Sequence, residues 1–204
     1  MNSQPIRLGF LGSGGGSSAR AIVAAIRAGE LAAEARLIVS NNRKAELLSF
    51  AAQVGVPSLC IPTQADPESA DARLAEAMTE HGVELIVLSG YLRQLGPVTL
   101  ARYAGRVLNI HPGPLPTFGG RGLYGRRVHE AVVAAGATES AVTIHVVDEE
   151  YDHGPVVARK SVPVLAGDTP EMLEARVRAE EPAFFVETLQ RIARGDLQLP
   201  GPAA

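Results

Sequence analysis

Residues 7–18 read Arg7-Leu8-Gly9-Phe10-Leu11-Gly12-Ser13-Gly14-Gly15-Gly16-Ser17-Ser18 and run on into Ala19–Ala28, Ala-Arg-Ala-Ile-Val-Ala-Ala-Ile-Arg-Ala. The first six residues form a short apolar run that predicts a buried strand, and the last ten are rich in strong helix formers. A strand passing through glycines straight into a helix is the opening unit of an α/β fold. The turn itself has two readings. It is a tight connection with a serine helix cap, or it gathers unpaired backbone N–H groups and the positive end of a helix dipole around a phosphate. Its spacing matches neither Gly-x-Gly-x-x-Gly nor a turn ending in Gly-Lys-Ser/Thr, so neither a dinucleotide nor ATP is indicated.

Strand and helix keep alternating. Ala35–Ser40 reads as a strand, Arg43–Val54 as a helix stopped by Gly55, Pro57–Ile61 as a strand, Pro67–His81 as a helix stopped by Gly82, and Glu84–Ser89 as a core strand. That order predicts a parallel sheet with right-handed crossovers and a ligand cleft at the carboxyl ends of its strands. The loop after Ser89, Gly90-Tyr91-Leu92-Arg93-Gln94-Leu95, lines that cleft by position; Leu92 and Leu95 either cover the core or meet a flat ligand. Further on, Arg126–Ala135 reads as a helix with Val128, Val132 and Ala135 inward and Arg127, His129 and Glu130 solvated. Thr143–Val147 and Val156–Val164 read as antiparallel strands. Thr169 or Asp168 caps a last helix with Pro170 in its first turn, carrying Leu173, Val177 and Ala179 inward towards Ile192. Pro200–Ala204 is expected to be a frayed tail. The expectation is one Rossmann-like α/β domain over residues 1–204, a mostly parallel sheet with helices on both faces and an antiparallel C-terminal part.

The chemistry concentrates in Arg106–Pro116, Arg-Val-Leu-Asn-Ile-His-Pro-Gly-Pro-Leu-Pro. Period two puts Asn109 and His111 on one face of a strand end, about 7 Å apart at roughly 3.3 Å per residue. An amide donor beside an ionisable imidazole can hold a developing oxyanion and move a proton, which suits acyl or formyl transfer. Alone, the pair equally fits a structural histidine and an asparagine bonded to nearby backbone. The second polar cluster, Asp148-Glu149-Glu150-Tyr151-Asp152-His153-Gly154-Pro155, also follows an apolar strand and could bring a carboxylate to His111. The glycine-rich Thr117–Gly125 lies between them as a candidate moving loop.

Composition narrows the function classes. The chain has 204 residues, is 46% hydrophobic, and carries a formal net charge of -3 with no Lys/Arg run, which argues for a small ligand rather than a nucleic acid. The single cysteine, Cys60, is expected to be a buried strand residue and not a nucleophile or metal ligand. No basic-then-apolar leader opens the sequence and no apolar run of membrane-spanning length occurs, so a cytoplasmic protein without a membrane partner is expected.

With Asn109, His111 and Asp152 in place, the chain resembles the phosphoribosylglycinamide formyltransferases over nearly its whole length. The carriers are Ser13–Ser18, Val39-Ser40-Asn41, Leu88–Arg93, Asn109-Ile110-His111-Pro112, Leu115-Pro116, Thr143-Ile144-His145, Tyr151–Pro155, Pro163–Asp168 and Arg176-Val177 before Glu180-Glu181. The resemblance implies that 10-formyltetrahydrofolate, as co-substrate and without a metal, gives its formyl group to the amine of glycinamide ribonucleotide. It implies that Asn109 donates to the oxyanion, that His111 stabilises charge and relays a proton, and that Asp152 orients His111 and favours its charged form. Gly14, Gly15, Gly16, Ser17 and Ser18 would hold the substrate phosphate and Glu181 the glycinamide or ribose end. Tyr91, Leu92, Arg93, Gln94, Leu95, Val147 and Asp148 would flank the folate. Self-association into a homodimer is left open.

Three positions depart from the family pattern: Ser18 stands where Asn is common, Gly113-Pro114 replace Ser-Leu, and Gly119–Gly125 is longer and richer in glycine. A formyltetrahydrofolate hydrolase is expected to carry an added N-terminal domain, whereas the first strand here begins by residue 7. A methionyl-tRNA formyltransferase is expected to carry a further basic C-terminal domain. A formyltransferase acting on an amino sugar nucleotide and a non-enzymatic nucleotide-binding module complete the alternatives.

Overall fold

The apolar run at the N-terminus is strand β1 (Ile6–Leu11) in a computed structural model that describes residues 4–200. Strands β2 (Ala33–Ser40) and β4 (Leu85–Leu88) pair with it in parallel on either side. It is thus a central strand, and cores on both faces of the sheet cover it, which is why residues 8–11 are apolar without alternation. Strand β3 (Ser58–Cys60) pairs with β2 at one edge, and β5 (Val107–His111) continues the parallel set beyond β4. Two antiparallel strands, β6 (Glu139–Val146) and β7 (Val156–Pro163), complete one seven-stranded sheet in the order β3-β2-β1-β4-β5-β6-β7. The expected architecture is present.

Helices α1 (Ser17–Arg27), α2 (Glu46–Val54), α5 (Arg126–Ala134) and α6 (Pro170–Arg194) cover one face, where Phe10, Ile22, Leu47, Leu108, Val132, Ile144 and Phe185 share a core. Helices α3 (Pro67–Glu80) and α4 (Pro97–Arg102) cover the other, over Leu11, Leu37, Ile86 and Val107.

Several local expectations are corrected. Helix α2 begins at Glu46 rather than Arg43, because Ser40 Oγ accepts from Asn42 N and Asn42 Oδ1 accepts from Lys44 N, local bonds that compete with helix. Helix α4 was not expected; buried Asp71 accepts from the N–H groups of Val98 and Thr99 and so caps it from across the fold. Cys60 is half-buried, since β3 is a three-residue edge strand. His129 is buried with Val128 and Val132 because α5 packs against α6, whereas Ala135 is exposed where α5 ends. Ala179 is also exposed: it lies two residues, about 200° of helix, past buried Val177. Thr169 is the cap of α6. Within the expected tail, residues 201–204 lie outside the described residues.

Candidate active site

The carboxyl end of β5 and its antiparallel neighbour β6 supply the polar cluster. Their register sets Asn109 opposite His145 and His111 opposite Thr143, so these four polar side chains can share one side of the sheet. Asn109 Nδ2 lies 3.1 Å from His145 Nε2. His145 Nδ1 is 2.9 Å from the Val146 carbonyl, which can only accept; Nδ1 therefore carries hydrogen, and Nε2 is the nitrogen that faces the Asn109 amide.

Asp152 reaches the same place from the β6–β7 connection. Its backbone sits at φ 56°, a left-handed conformation that Asp tolerates better than most residues. Oδ2 stands 3.4 Å from His111 Nδ1, and Oδ1 stands 3.4 Å from His145 Nε2. The Gly120 N–H donates to Oδ2 at 3.1 Å. Burial would push this carboxyl up, but the two imidazoles and the amide outweigh burial and hold it well below the usual carboxylate range. His111 is buried, and its Nε2 donates to the Phe118 carbonyl at 2.8 Å. Both of its nitrogens thus face oxygen acceptors.

Glu181 lies on α6, partly buried. Burial pushes its carboxyl up to about 7, with Arg178 and then His111 opposing the shift.

The glycine turn between β1 and α1 lies across the sheet end from this cluster. The N-cap residue of α1 is Gly16, at φ 64°, which has no side chain to cap with, and the first turn holds no acidic residue. The serine-cap reading of this turn therefore fails. Ser89 Oγ satisfies the Ala19 N–H, while Gly14, Gly15 and Ser17 are exposed and Ser18 is buried. By contrast, Asp66 caps α3 and Thr169 caps α6. Ser13 Oγ donates to Asn41 Oδ1 at 2.6 Å and accepts from Leu92 N at 2.9 Å, tying the turn to the loop after β4.

In that loop Leu92 is 74% exposed, Arg93 and Gln94 are exposed, Tyr91 is half-buried, and Leu95 is buried in the core. Leu95 thus covers the core, whereas Leu92 does not. Gln94 Nε2 donates to the Glu149 carbonyl at 2.7 Å, joining this loop to the one after β6. There Val147 is half-buried, and Asp148 accepts from Glu150 N and from His153 Nδ1. Among the described residues no cluster could hold a metal ion, and no helix is long and apolar enough to cross a membrane.

The family model described as Formyl transferase matches residues 6–189. The chain belongs to the formyl transferase family. It is 39% identical over 190 residues to the chloroplastic phosphoribosylglycinamide formyltransferase of Arabidopsis thaliana, covering 91% of this chain and 65% of the plant protein. It is 32% identical over 194 residues to the phosphoribosylglycinamide formyltransferase of Escherichia coli strain K12, covering 94% and 89% of the two chains. The crystal structure of glycinamide ribonucleotide transformylase 1 from Symbiobacterium toebii superposes with a TM-score of 0.87 at 32% identity, covering 98% of this chain and 93% of that one.

Among the predicted site residues, the structure brings Asn109, His111 and Asp152 into one cluster and sets the Gly14–Ser18 turn at the same end of the sheet. It adds His145, to which sequence reasoning gave no role. The available signal was the β5–β6 register: an antiparallel strand pairing Ile110 with Ile144 must place His145 opposite Asn109.

Proposed function

We propose that this formyl transferase moves the formyl group of 10-formyltetrahydrofolate to the amine of glycinamide ribonucleotide in purine synthesis. The reading is carried by the meeting of Asn109, His111 and Asp152 at a strand end in a chain of this family. The names of the Arabidopsis and Escherichia coli relatives support this acceptor.

In this reaction the amine nitrogen forms a bond to the formyl carbon, and the carbonyl electrons move onto oxygen. The Asn109 amide, steadied at one hydrogen by His145, turns its other N–H to that oxyanion. His111 supplies the second donor from Nε2, so the Phe118 carbonyl must release it when substrates bind. The proton lost by the attacking amine passes to the departing folate nitrogen as the carbon–nitrogen bond to it breaks. Asp152, ionised, supports the charged imidazole throughout. The Gly14–Ser18 N–H groups hold the acceptor phosphate, Glu181 receives the glycinamide or ribose end, and the Tyr91–Leu95 and Val147–Asp148 segments flank the folate.

Incubation with 10-formyltetrahydrofolate and glycinamide ribonucleotide should consume donor and form formylated acceptor one for one. Donor loss without acceptor would make the protein a hydrolase. Preference for an amino sugar nucleotide would replace the acceptor, and binding without turnover would leave a nucleotide-binding module.

A further inference from the structure

Three consecutive carbonyls of the glycine turn are each held from outside it. The Ser13 oxygen accepts from Asn42 Nδ2 at 3.1 Å, the Gly14 oxygen from Leu47 N at 3.1 Å, and the Gly15 oxygen from Arg20 Nε at 2.7 Å. In a planar trans peptide C=O and N–H point in opposite directions. Fixing these oxygens therefore sends the N–H groups of Gly14, Gly15 and Gly16 away from their anchors.

The third anchor differs from the other two. Asn42 follows β2 and Leu47 belongs to α2, so both are fixed by the body of the fold. Arg20 is instead a long side chain from α1, clamped across to α2. Its guanidinium carbon lies 4.8 Å from the Phe50 ring centre, and Nη2 lies 3.4 Å from the Glu46 carbonyl and 4.0 Å from Glu46 Oε2. This clamp occupies the end of the guanidinium and presents Nε to Gly15. The peptide that Nε holds joins two glycines, one of them left-handed, so its orientation is set by the bonds made to it more than by its side chains.

We propose that Arg20 is a positioning residue for the phosphate of the acceptor: through Nε it sets the Gly15–Gly16 peptide so that the Gly16 N–H faces the anion. The proposal rests on the reading of this turn as the phosphate site. Its contribution comes from the hydrogen bond to Gly15, not from placing a positive charge on the phosphate.

Glutamine and methionine separate these effects. The amide nitrogen of Gln is as many bonds from Cα as Arg Nε, so Arg20→Gln keeps a donor and loses the charge, whereas Arg20→Met loses both. Arg20→Met should raise KM for glycinamide ribonucleotide about three- to tenfold, with kcat and the folate KM within about twofold of wild type. Arg20→Gln should stay within about twofold throughout. Inorganic phosphate, competing with the acceptor, should weaken in step in the Met variant alone. Equal losses in both variants would assign the effect to charge and overturn the proposal. So would an unchanged Met variant, or one that loses melting temperature and kcat with the acceptor KM unmoved. If inorganic phosphate fails to compete with the acceptor in the wild type, the phosphate reading of the turn falls and takes this proposal with it.

Discussion

The two ends of the candidate site are built from different parts of the chain. At the β1–α1 turn the donors are backbone N–H groups at a helix start whose N-cap residue is a glycine, aimed by anchors on the neighbouring carbonyls. At the β5–β6 junction they are side chains: Asn109, His111, His145 and Asp152 stand 3.1 to 3.4 Å apart, brought together by strand register and one left-handed residue. A site made of backbone is indifferent to which polar groups its residues carry but intolerant of an added Cβ where, as at Gly16, the glycine is left-handed and closely packed. A site made of side chains is sensitive to single atoms, and its backbone tolerates conservative replacement.

The largest effect expected from that contrast is at β5. Asn109→Ala and His111→Ala should each lower kcat by about 10²-fold to 10³-fold, the usual loss for one oxyanion donor. Asn109→Ala is the cleaner variant, because Asn109 is only half-buried and its loss frees a histidine nitrogen, whereas His111→Ala takes a partner from both Asp152 and the Phe118 carbonyl. Near-wild-type turnover in a variant that melts cooperatively would remove that residue from the mechanism.

Asp152→Asn should come next, with kcat down on the order of 10²-fold and the folate KM little changed. Asn also accepts a left-handed backbone, so the turn survives while the charge between two imidazoles is lost. Acid stability gives a second readout. The folded carboxyl titrates below its unfolded counterpart, so its stabilising contribution is complete above about pH 4 and is lost as the pH falls through the depressed folded value. The melting difference between wild type and variant should thus be flat at neutral pH and shrink only under strong acid. Equal rates in the two proteins would reduce Asp152 to a turn residue.

How much of this was legible in the sequence follows the same division. The glycine turn is local, so composition and spacing alone located it, and the alternating apolar runs gave the sheet. His145 depends on which strand lies beside β5 and in what register, which period-two reading of one strand does not contain. Helix α4 was missed because its cap, Asp71, arrives from α3. His129 looked like a surface residue because its burial comes from α6, not from its own helix. The Gly113 departure also has a tertiary reason: a Cβ there would lie 2.5 Å from Val128 Cγ1 and 3.3 Å from His111 Nε2, so a serine would require α5 to sit farther out.

Gly16→Val tests the backbone end. A Cβ at Gly16 would meet Leu47 Cδ1 at 2.7 Å, and its left-handed φ costs a non-glycine residue about 1–2 kcal/mol, more for a β-branched one. The acceptor KM should rise by about tenfold, more than the folate KM, because the N–H groups lose their alignment. A rise in the folate KM alone would show that this turn belongs to the other substrate.

Glu181 should give the smallest effect; in the proposed function it is the side chain that receives the acceptor. Burial pushes its carboxyl up to about 7, so the folded protein holds the proton more tightly than the unfolded chain, which releases it near the ordinary carboxyl value. Ionising the folded group therefore costs stability, progressively from about pH 4.5 to about pH 7 and no further above that. Glu181→Gln cannot titrate and escapes this loss. Relative to wild type, the variant should gain melting temperature by a few degrees between pH 5 and pH 7.5, then run parallel. Substrate binding should move the opposite way: at pH 8 the wild type offers a carboxylate, and the Gln variant should show an acceptor KM raised several-fold, about the worth of one ordinary hydrogen bond. At pH 5.5, where Glu181 is protonated in both free enzyme and apolar surroundings, that gap should narrow. A melting difference that ignores pH would show that Glu181 is not the buried titrating group. An acceptor KM equal in the two proteins at pH 8 would take its carboxylate out of the acceptor site and leave α6 with a purely structural part there.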